Sequence, residues 1–162
     1  MKRLILMRHA KSDWKTGQED HDRPLNARGR RAATVLGDWL RQNGQLPDAV
    51  LSSSAMRTRE TLDRLQIKAQ ATFDPTLYLA DSSVLESVLK GATGERVLML
   101  GHNPGIGDFA AELMERPVDH PRFHAYPTGA TLIADFDIDH WPELHLGTGR
   151  LVDFIVPRDL TD

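Results

Sequence analysis

The chain has 162 residues, of which 40% are hydrophobic and 27% are charged, with a formal net charge of −3 and no cysteine. This length and composition predict one domain, residues 1–162, with a substantial buried core. The lack of a basic excess argues against nucleic acid or an anionic membrane surface as a partner. The lack of cysteine excludes disulfides, zinc–thiolate sites and thiol nucleophiles. The first apolar run breaks at Arg8 without a cleavage site, so we expect a cytoplasmic protein without a membrane span.

Apolar runs and helical periodicities alternate along the chain. Strands are expected at 3–8, 48–52, 95–100, 130–136 and 149–156, with a weaker strand and turn at 71–79. Helices are expected at 27–43, from about 55, from 82 to 90 and at 106–113. This alternation predicts a three-layer α/β fold, with a mostly parallel central sheet and helices on both faces. The last two strands are separated by a loop, so we expect one antiparallel edge strand.

Several helix ends carry capping signals. Asn26 is expected to cap the first helix, and Gly44 is expected to follow its last turn. The serine clusters 52–54 and 82–83 are expected to cap the second and third helices.

Three expected strands end in polar residues that suit an anion. These ends are Arg8-His9, the stretch 52–57 that contains Arg57, and Gly101-His102-Asn103. The carboxyl ends of parallel strands meet at one edge of a sheet, where ligands bind. Guanidinium groups match phosphate oxygens bidentately, and nearby arginines favour a neutral imidazole that can attack phosphorus. The residues alone leave open which histidine is the nucleophile. The arrangement requires no metal ion, and we expect no cofactor.

Three ordered motifs carry a resemblance to a known family. The segment 6–10 (Leu-Met-Arg-His-Ala) resembles the Arg-His-Gly/Ala signature of the histidine phosphatase superfamily, which includes the phosphoglycerate mutases. Segments 52–61 and 101–105 resemble the second and third motifs of that superfamily. The short length, the continuation through Lys11-Ser12 and the segment 23–29 resemble its SixA-type subgroup. Members of that subgroup are phosphohistidine phosphatases that act on the phosphotransfer domains of signalling proteins.

The resemblance implies a phosphoglycerate mutase-like fold and a role for each matched residue. His9 would be the nucleophile that becomes phosphorylated, and water would then hydrolyse the phosphoenzyme. The phosphoryl group would be bound by Arg8, Arg57 and His102. Lys11 and Ser12 are further candidates for contact with substrate, with solvated loop positions as the alternative for them and for Arg23.

One part of the superfamily pattern is missing. Many members carry a general-acid glutamate between the second and third motifs, but segment 77–86 contains no such motif, and Asn103 follows His102. An alkoxide leaving group needs a proton donor more than an imidazole does. We therefore expect hydrolysis of phosphohistidine on a histidine phosphotransfer domain. The alternative is a phosphomonoesterase that acts on a small phosphorylated substrate, with Asp81, Glu86 or Glu60 as acid. A third possibility is a phosphate-binding module without activity.

Other polar and aromatic residues have less specific interpretations. The basic run 28–31 is expected to be a solvated helix face, or else a docking surface for an acidic protein. The remaining histidines fit no metal-ligand spacing, so we expect no metal site. Thr128-Gly129 is expected to form a turn, and Trp14 is close enough in sequence to line the entrance of the site.

Overall fold

The computed structural model describes residues 1–161 and contains one six-stranded sheet within that range. The strands are β1 (Lys2–Arg8), β2 (Ala49–Ser53), β3 (Gln70–Asp74), β4 (Arg96–Gly101), β5 (Thr131–Phe136) and β6 (Arg150–Ile155). The helices are α1 (Ala27–Gln42), α2 (Met56–Leu65), α3 (Ser82–Lys90), α4 (Gly105–Leu113) and α5 (Pro157–Thr161). Short 3₁₀ turns lie at Asp20–Asp22, Pro75–Leu77 and Trp141–Glu143.

The sheet has the strand order β3-β2-β4-β1-β5-β6. The first four strands in this order are mutually parallel, which confirms the mostly parallel sheet. β5 runs antiparallel to both β1 and β6, so the reversed strand is second from the edge and β6 is the edge itself. The burial of the two strands agrees with these positions, because β5 is almost wholly buried whereas the first half of β6 is exposed.

Helices cover both faces of the sheet, which confirms the three layers. Side chains of β1 alternate between the faces, as a strand requires. Leu4 and Leu6 pack in the apolar cluster that contains α3 and α4 residues. Ile5 and Met7 pack in the cluster that contains residues of α1, α2 and α5. No helix within residues 1–161 is long and apolar enough to cross a membrane.

The expected helix caps are partly right. The Asn26 side chain accepts a hydrogen bond from the Gly29 N–H and caps α1, and Gly44 follows α1 with a positive φ of 65°. The serine predictions are wrong. Asp81 caps α3, because its carboxylate accepts from the Val84 N–H.

The N-cap of α2 is Ala55, which has no side chain that could accept a hydrogen bond. The nearby Ser53 hydroxyl accepts from the Ala55 N–H, but it also contacts His102. This serine is therefore shared between the turn that precedes α2 and the candidate site. The terminal helix α5 was not among the helices expected from the sequence.

Candidate active site

The candidate site lies at the carboxyl ends of the central parallel strands. His9 follows β1 and His102 follows β4, and these strands are paired in register from Arg3↔Arg96 to Arg8↔Gly101. The two imidazole ring centroids are 5.3 Å apart. Arg57 enters from the first turn of α2. Together with Arg8, these side chains line one cavity of about 380 Å³, so the structure brings together the four residues that the sequence singled out.

His9 is held as a neutral ring of defined tautomer. Its Nδ1 lies 2.7 Å from the carbonyl oxygen of Ala10. A carbonyl can only accept, so Nδ1 carries the proton and Nε2 keeps its lone pair. Burial, and after it the charges of Arg8 and Arg57, lower the pKa of His9 to about 3, although the hydrogen bond to Ala10 acts in the opposite direction. The hydroxyl of Thr61 fixes the loop by accepting from the Ala10 N–H at 3.0 Å.

His102 is held through Nε2, whereas His9 is held through Nδ1. Its Nε2 lies 2.8 Å from the Ser53 hydroxyl, which also accepts from the Ala55 N–H at 3.2 Å. The serine proton can be donated to Nε2, and in that arrangement the ring proton of His102 is on Nδ1. That nitrogen is buried and has no protein partner among the described residues. Burial first, and then the neighbouring His9, lower the pKa of His102 to about 3.

The two arginines keep hydrogen-bond donors that the described protein does not use. Arg8 donates from Nη1 to the Tyr126 carbonyl at 3.1 Å, and Arg57 donates from Nη1 to the Asp20 carbonyl at 2.7 Å. The Nε atoms of both arginines are buried without a partner within residues 1–161. Burial, followed by the charge of Arg57, lowers the pKa of Arg8. Buried donors of this kind are costly unless an acceptor is supplied, so the cavity is built for an anion.

Asp20 is a functional residue that the sequence analysis missed. Its carboxylate accepts from Arg57 Nη2 at 3.0 Å, from Arg23 Nε at 3.1 Å and from the Tyr78 hydroxyl. The Tyr78 hydrogen bond and then the two arginines hold the pKa of Asp20 well below its usual range. The available signal was an acidic residue three positions before the Arg-Pro-Leu stretch of segment 23–29.

The loop after β1 is ordered by Arg23, which is 6% exposed. Arg23 donates from Nη1 to the Ser12 hydroxyl at 2.8 Å, and its guanidinium lies 3.5 Å from the ring centre of Trp14. Ser12 is also buried, so the alternative of a solvated position is wrong for Ser12 and Arg23. Lys11 is exposed, and both Lys11 and Ser12 line the cavity.

The three acids considered as proton donors lie outside the cavity lining. Glu60 is engaged by Arg30 Nε at 2.6 Å and by the Leu25 N–H at 2.9 Å. Asp81 is the cap of α3, and Glu86 pairs with Lys90. Asp20 is the one carboxylate among the described residues that line the cavity. Within residues 1–161, no group of three or more histidine or acidic side chains could hold a metal ion.

Comparison with known proteins agrees with this geometry. Residues 4–78 match the histidine phosphatase superfamily (branch 1). The uncharacterized protein Rv1276c of Mycobacterium tuberculosis is 37% identical over 159 residues, which cover 94% of this chain and 100% of the relative.

Two solved structures share the whole architecture. The SixA structure from Nakamurella multipartitia superposes with a TM-score of 0.86 and 28% identity, covering 96% of each chain. The SixA structure from Agrobacterium tumefaciens superposes with a TM-score of 0.78 and 27% identity, covering 96% of this chain and 98% of the other. The chain therefore belongs to the histidine phosphatase superfamily, in its SixA-type subgroup.

Proposed function

We propose that this protein hydrolyses phosphohistidine on a phosphotransfer protein through a phospho-His9 intermediate. Its family and its likeness to SixA structures support a phosphatase, and the SixA proteins of Nakamurella and Agrobacterium carry the name phosphohistidine phosphatase. The observation that carries the proposal is the neutral His9, with Nε2 free, beside two arginines that retain unused donors. The proposal takes residues 1–162 as one catalytic domain and keeps the expected cytoplasmic location.

In the first step, the lone pair on Nε2 of His9 attacks the phosphorus atom. The bond from phosphorus to the substrate imidazole nitrogen breaks, and its electron pair stays on that nitrogen. Arg8 and Arg57 supply N–H donors to the phosphoryl oxygens, and Nδ1–H of His102 supplies another. The hydrogen bond from Nδ1 of His9 to the Ala10 carbonyl stabilises the charge that the ring acquires as it is phosphorylated.

The leaving group explains the preference for phosphohistidine over a phosphate ester. Asp20 is the one described carboxylate in the cavity lining, and its lowered pKa keeps it ionised at neutral pH, so it has no proton to give. An alkoxide leaving group needs such a proton, whereas an imidazole nitrogen is basic enough to be protonated by solvent. The same lack of a donor argues against turnover of a small phosphomonoester.

In the second step, water attacks the phosphorus of phospho-His9, and the phosphorus–nitrogen bond breaks. The products are inorganic phosphate and neutral His9, ready for another cycle. The two arginines and His102 hold the same phosphoryl oxygens as in the first step. Because both steps pass through similar charge distributions, one set of donors serves both.

A substrate panel tests the proposal. The purified protein is incubated with a phosphotransfer domain phosphorylated on histidine, with phosphoramidate, and with sugar phosphates and p-nitrophenyl phosphate. We expect phosphate release from the first two that is insensitive to EDTA, and an acid-labile label on His9 in quenched reactions. Much faster turnover of the esters would support a phosphomonoesterase instead. Tight binding of the phosphorylated domain without phosphate release would support a binding module, and loss of activity in EDTA would contradict the mechanism.

A further inference from the structure

A second cavity, also of about 380 Å³, opens directly beside the catalytic cavity. The two share three lining residues, Arg8, Lys11 and Thr128. We call the second cavity the basic groove, and its other charged lining residues are Arg28 of α1, Arg122 of the loop before β5, and Arg158 of α5. The groove is thus assembled from four separated parts of the chain and adjoins the phosphoryl site.

All the charged residues that line the basic groove are positive. No acidic residue within 1–161 lines it, although the whole chain carries a net charge of −3. Lys11, Arg28 and Arg122 are exposed and form no ion pair with any carboxylate of the described residues. By contrast, Arg3 and Arg41 are paired with aspartates. The groove therefore concentrates positive charge that the fold itself does not neutralise, and such a surface attracts anionic groups.

The mouth of the catalytic cavity also carries apolar surface. Trp14 is 77% exposed and Leu79 is 56% exposed, and both line this cavity but not the basic groove. The Trp14 ring stacks on the guanidinium of the buried Arg23. Exposed tryptophan is typical of surfaces that bind proteins. A small phosphorylated metabolite whose phosphoryl group sits at His9 would leave most of this combined surface unused.

We propose that the basic groove and the Trp14–Leu79 rim together dock a protein whose phosphohistidine is flanked by carboxylates. This inference rests on the proposed function, and it specifies the partner as an acidic face of the phosphoprotein. The acidic side chains enter the groove, and apolar side chains near the phosphohistidine cover Trp14 and Leu79. Pro127 and Pro157 also line the groove.

Two phosphohistidine peptides of equal length test this docking surface. In one peptide the phosphohistidine is flanked by glutamates, and in the other every glutamate is replaced by glutamine. We expect the acidic peptide to have a kcat/KM about ten-fold higher at low salt, mainly through KM, because exposed charge pairs are individually weak and act together. The advantage should shrink at ~0.5 M salt, where exposed charges are screened.

Charge-reversal variants locate the effect. The double variant R28E/R122E should lose the preference for the acidic peptide, while its turnover of phosphoramidate stays within about two-fold of the parent. The matched control is R64E, because Arg64 is an exposed arginine on α2 that lines neither cavity. R64E should keep the preference for the acidic peptide.

The possible outcomes separate docking from catalysis. Equal turnover of both peptides by the parent and by R28E/R122E would overturn the docking surface while leaving the proposed function intact. A preference for fructose 1,6-bisphosphate over fructose 6-phosphate that R28E/R122E abolishes would assign the groove to a second phosphate of a small molecule, and would also overturn it. Failure to hydrolyse any phosphohistidine substrate would instead contradict the proposed function.

Discussion

The two histidines of the candidate site look alike in sequence and differ in chemistry. Each follows a buried parallel strand, and each is almost fully buried. His9 is held at Nδ1 by a backbone carbonyl, which can only accept a hydrogen bond. His102 is held at Nε2 by the Ser53 hydroxyl, which can donate or accept. The first ring therefore has one possible neutral tautomer with a lone pair on Nε2, whereas the second can present a proton or a lone pair at Nδ1.

This difference assigns the two roles that the sequence left open. A nucleophile needs a lone pair that is always available. The Ala10 carbonyl keeps the proton of His9 on Nδ1, so the lone pair on Nε2 stays available. A group that stabilises the phosphoryl oxygens needs a proton, and a serine hydroxyl that donates to Nε2 keeps the proton on Nδ1. On this basis His9 is the proposed nucleophile and His102 the proposed donor. The following predictions test this distinction.

Removal of each ring in turn should have unequal effects. We expect H9A to lower kcat by at least about 10,000-fold and to form no phosphoenzyme, because no other described side chain replaces the nucleophile. H102A should lower kcat by about 100- to 1,000-fold, as loss of one transition-state donor does, yet still form the acid-labile phosphoenzyme slowly. Rapid-quench labelling measures both effects. A phosphoenzyme in H9A that is lost in H102A would reverse the assignment.

Asp20 should affect catalysis by positioning Arg57. Its backbone carbonyl and its carboxylate each accept a hydrogen bond from that guanidinium. D20N preserves the shape but loses the charge, and we expect kcat/KM for phosphohistidine substrates to fall about 10- to 100-fold. Binding of inorganic phosphate should not weaken to the same extent, because a negative charge has also been removed from the cavity. The matched control is D22N, since Asp22 lies in the same 3₁₀ turn and is largely exposed. A higher kcat/KM in D20N would show that Asp20 only opposes the substrate charge.

Ser53 should control the tautomer of His102. We expect S53A to lower kcat/KM about three- to ten-fold and to reduce the free energy of unfolding by about 2 kcal/mol, because the hydroxyl takes part in two buried hydrogen bonds. Nitrogen NMR of the imidazole should show a mixture of tautomers at His102 and an unchanged His9. In the control S52A, the lost hydroxyl donates to the Ser53 carbonyl and touches neither ring, so the spectrum of His102 should be retained. Unchanged nitrogen shifts of His102 in S53A would contradict this role.

The lowered pKa values also predict how stability depends on pH. The folded pKa of both histidines is about 3, below the ordinary value of 6.5. The unfolded chain therefore binds more protons between these values, so stability is fully present above pH 6.5 and is lost as the pH falls toward 3. Each histidine can contribute a slope of about 1.4 kcal/mol per pH unit in that window.

Urea denaturation between about pH 7 and pH 5, in a buffer without phosphate, measures this slope. H9Q should flatten it, because one of the two buried rings is gone. H145Q should leave it unchanged, because His145 is exposed. A slope in H9Q equal to that of the parent would show that other groups govern the acid sensitivity.

Local patterns determined much of the fold. The short apolar runs and the amphipathic periodicities are local properties, so the strands and helices α1–α4 were predictable to within a few residues. The terminal helix α5 was not predictable, because it is short and most of its residues are polar. Its partly buried Leu160 packs against the core cluster under α1, so tertiary packing stabilises what local propensity would not.

The position of the reversed strand was also beyond local patterns. The sequence patterns of β5 and β6 both predict strands. Their order in the sheet depends on which of the two pairs with the free edge of β1. Pairing with β1 buries β5 on both sides, and β6 then completes the sheet with one edge toward solvent. The pattern of each segment taken alone does not contain that choice, because hydrogen-bonded strand pairing is a long-range property.

Within the site, sequence patterns were enough to predict which residues meet at one edge: Arg8, His9, Arg57 and His102. The reason is general, since parallel strands share the direction of their carboxyl ends. The hydrogen bonds that hold those residues depend on the folded chain and were not predictable. Asp20, Tyr78 and Ser53 come from segments far apart along the chain, and hydrogen bonds across such separations set the tautomers, the charges and the unused donors. Composition and spacing cannot encode those contacts, because they depend on where folded loops place individual polar atoms.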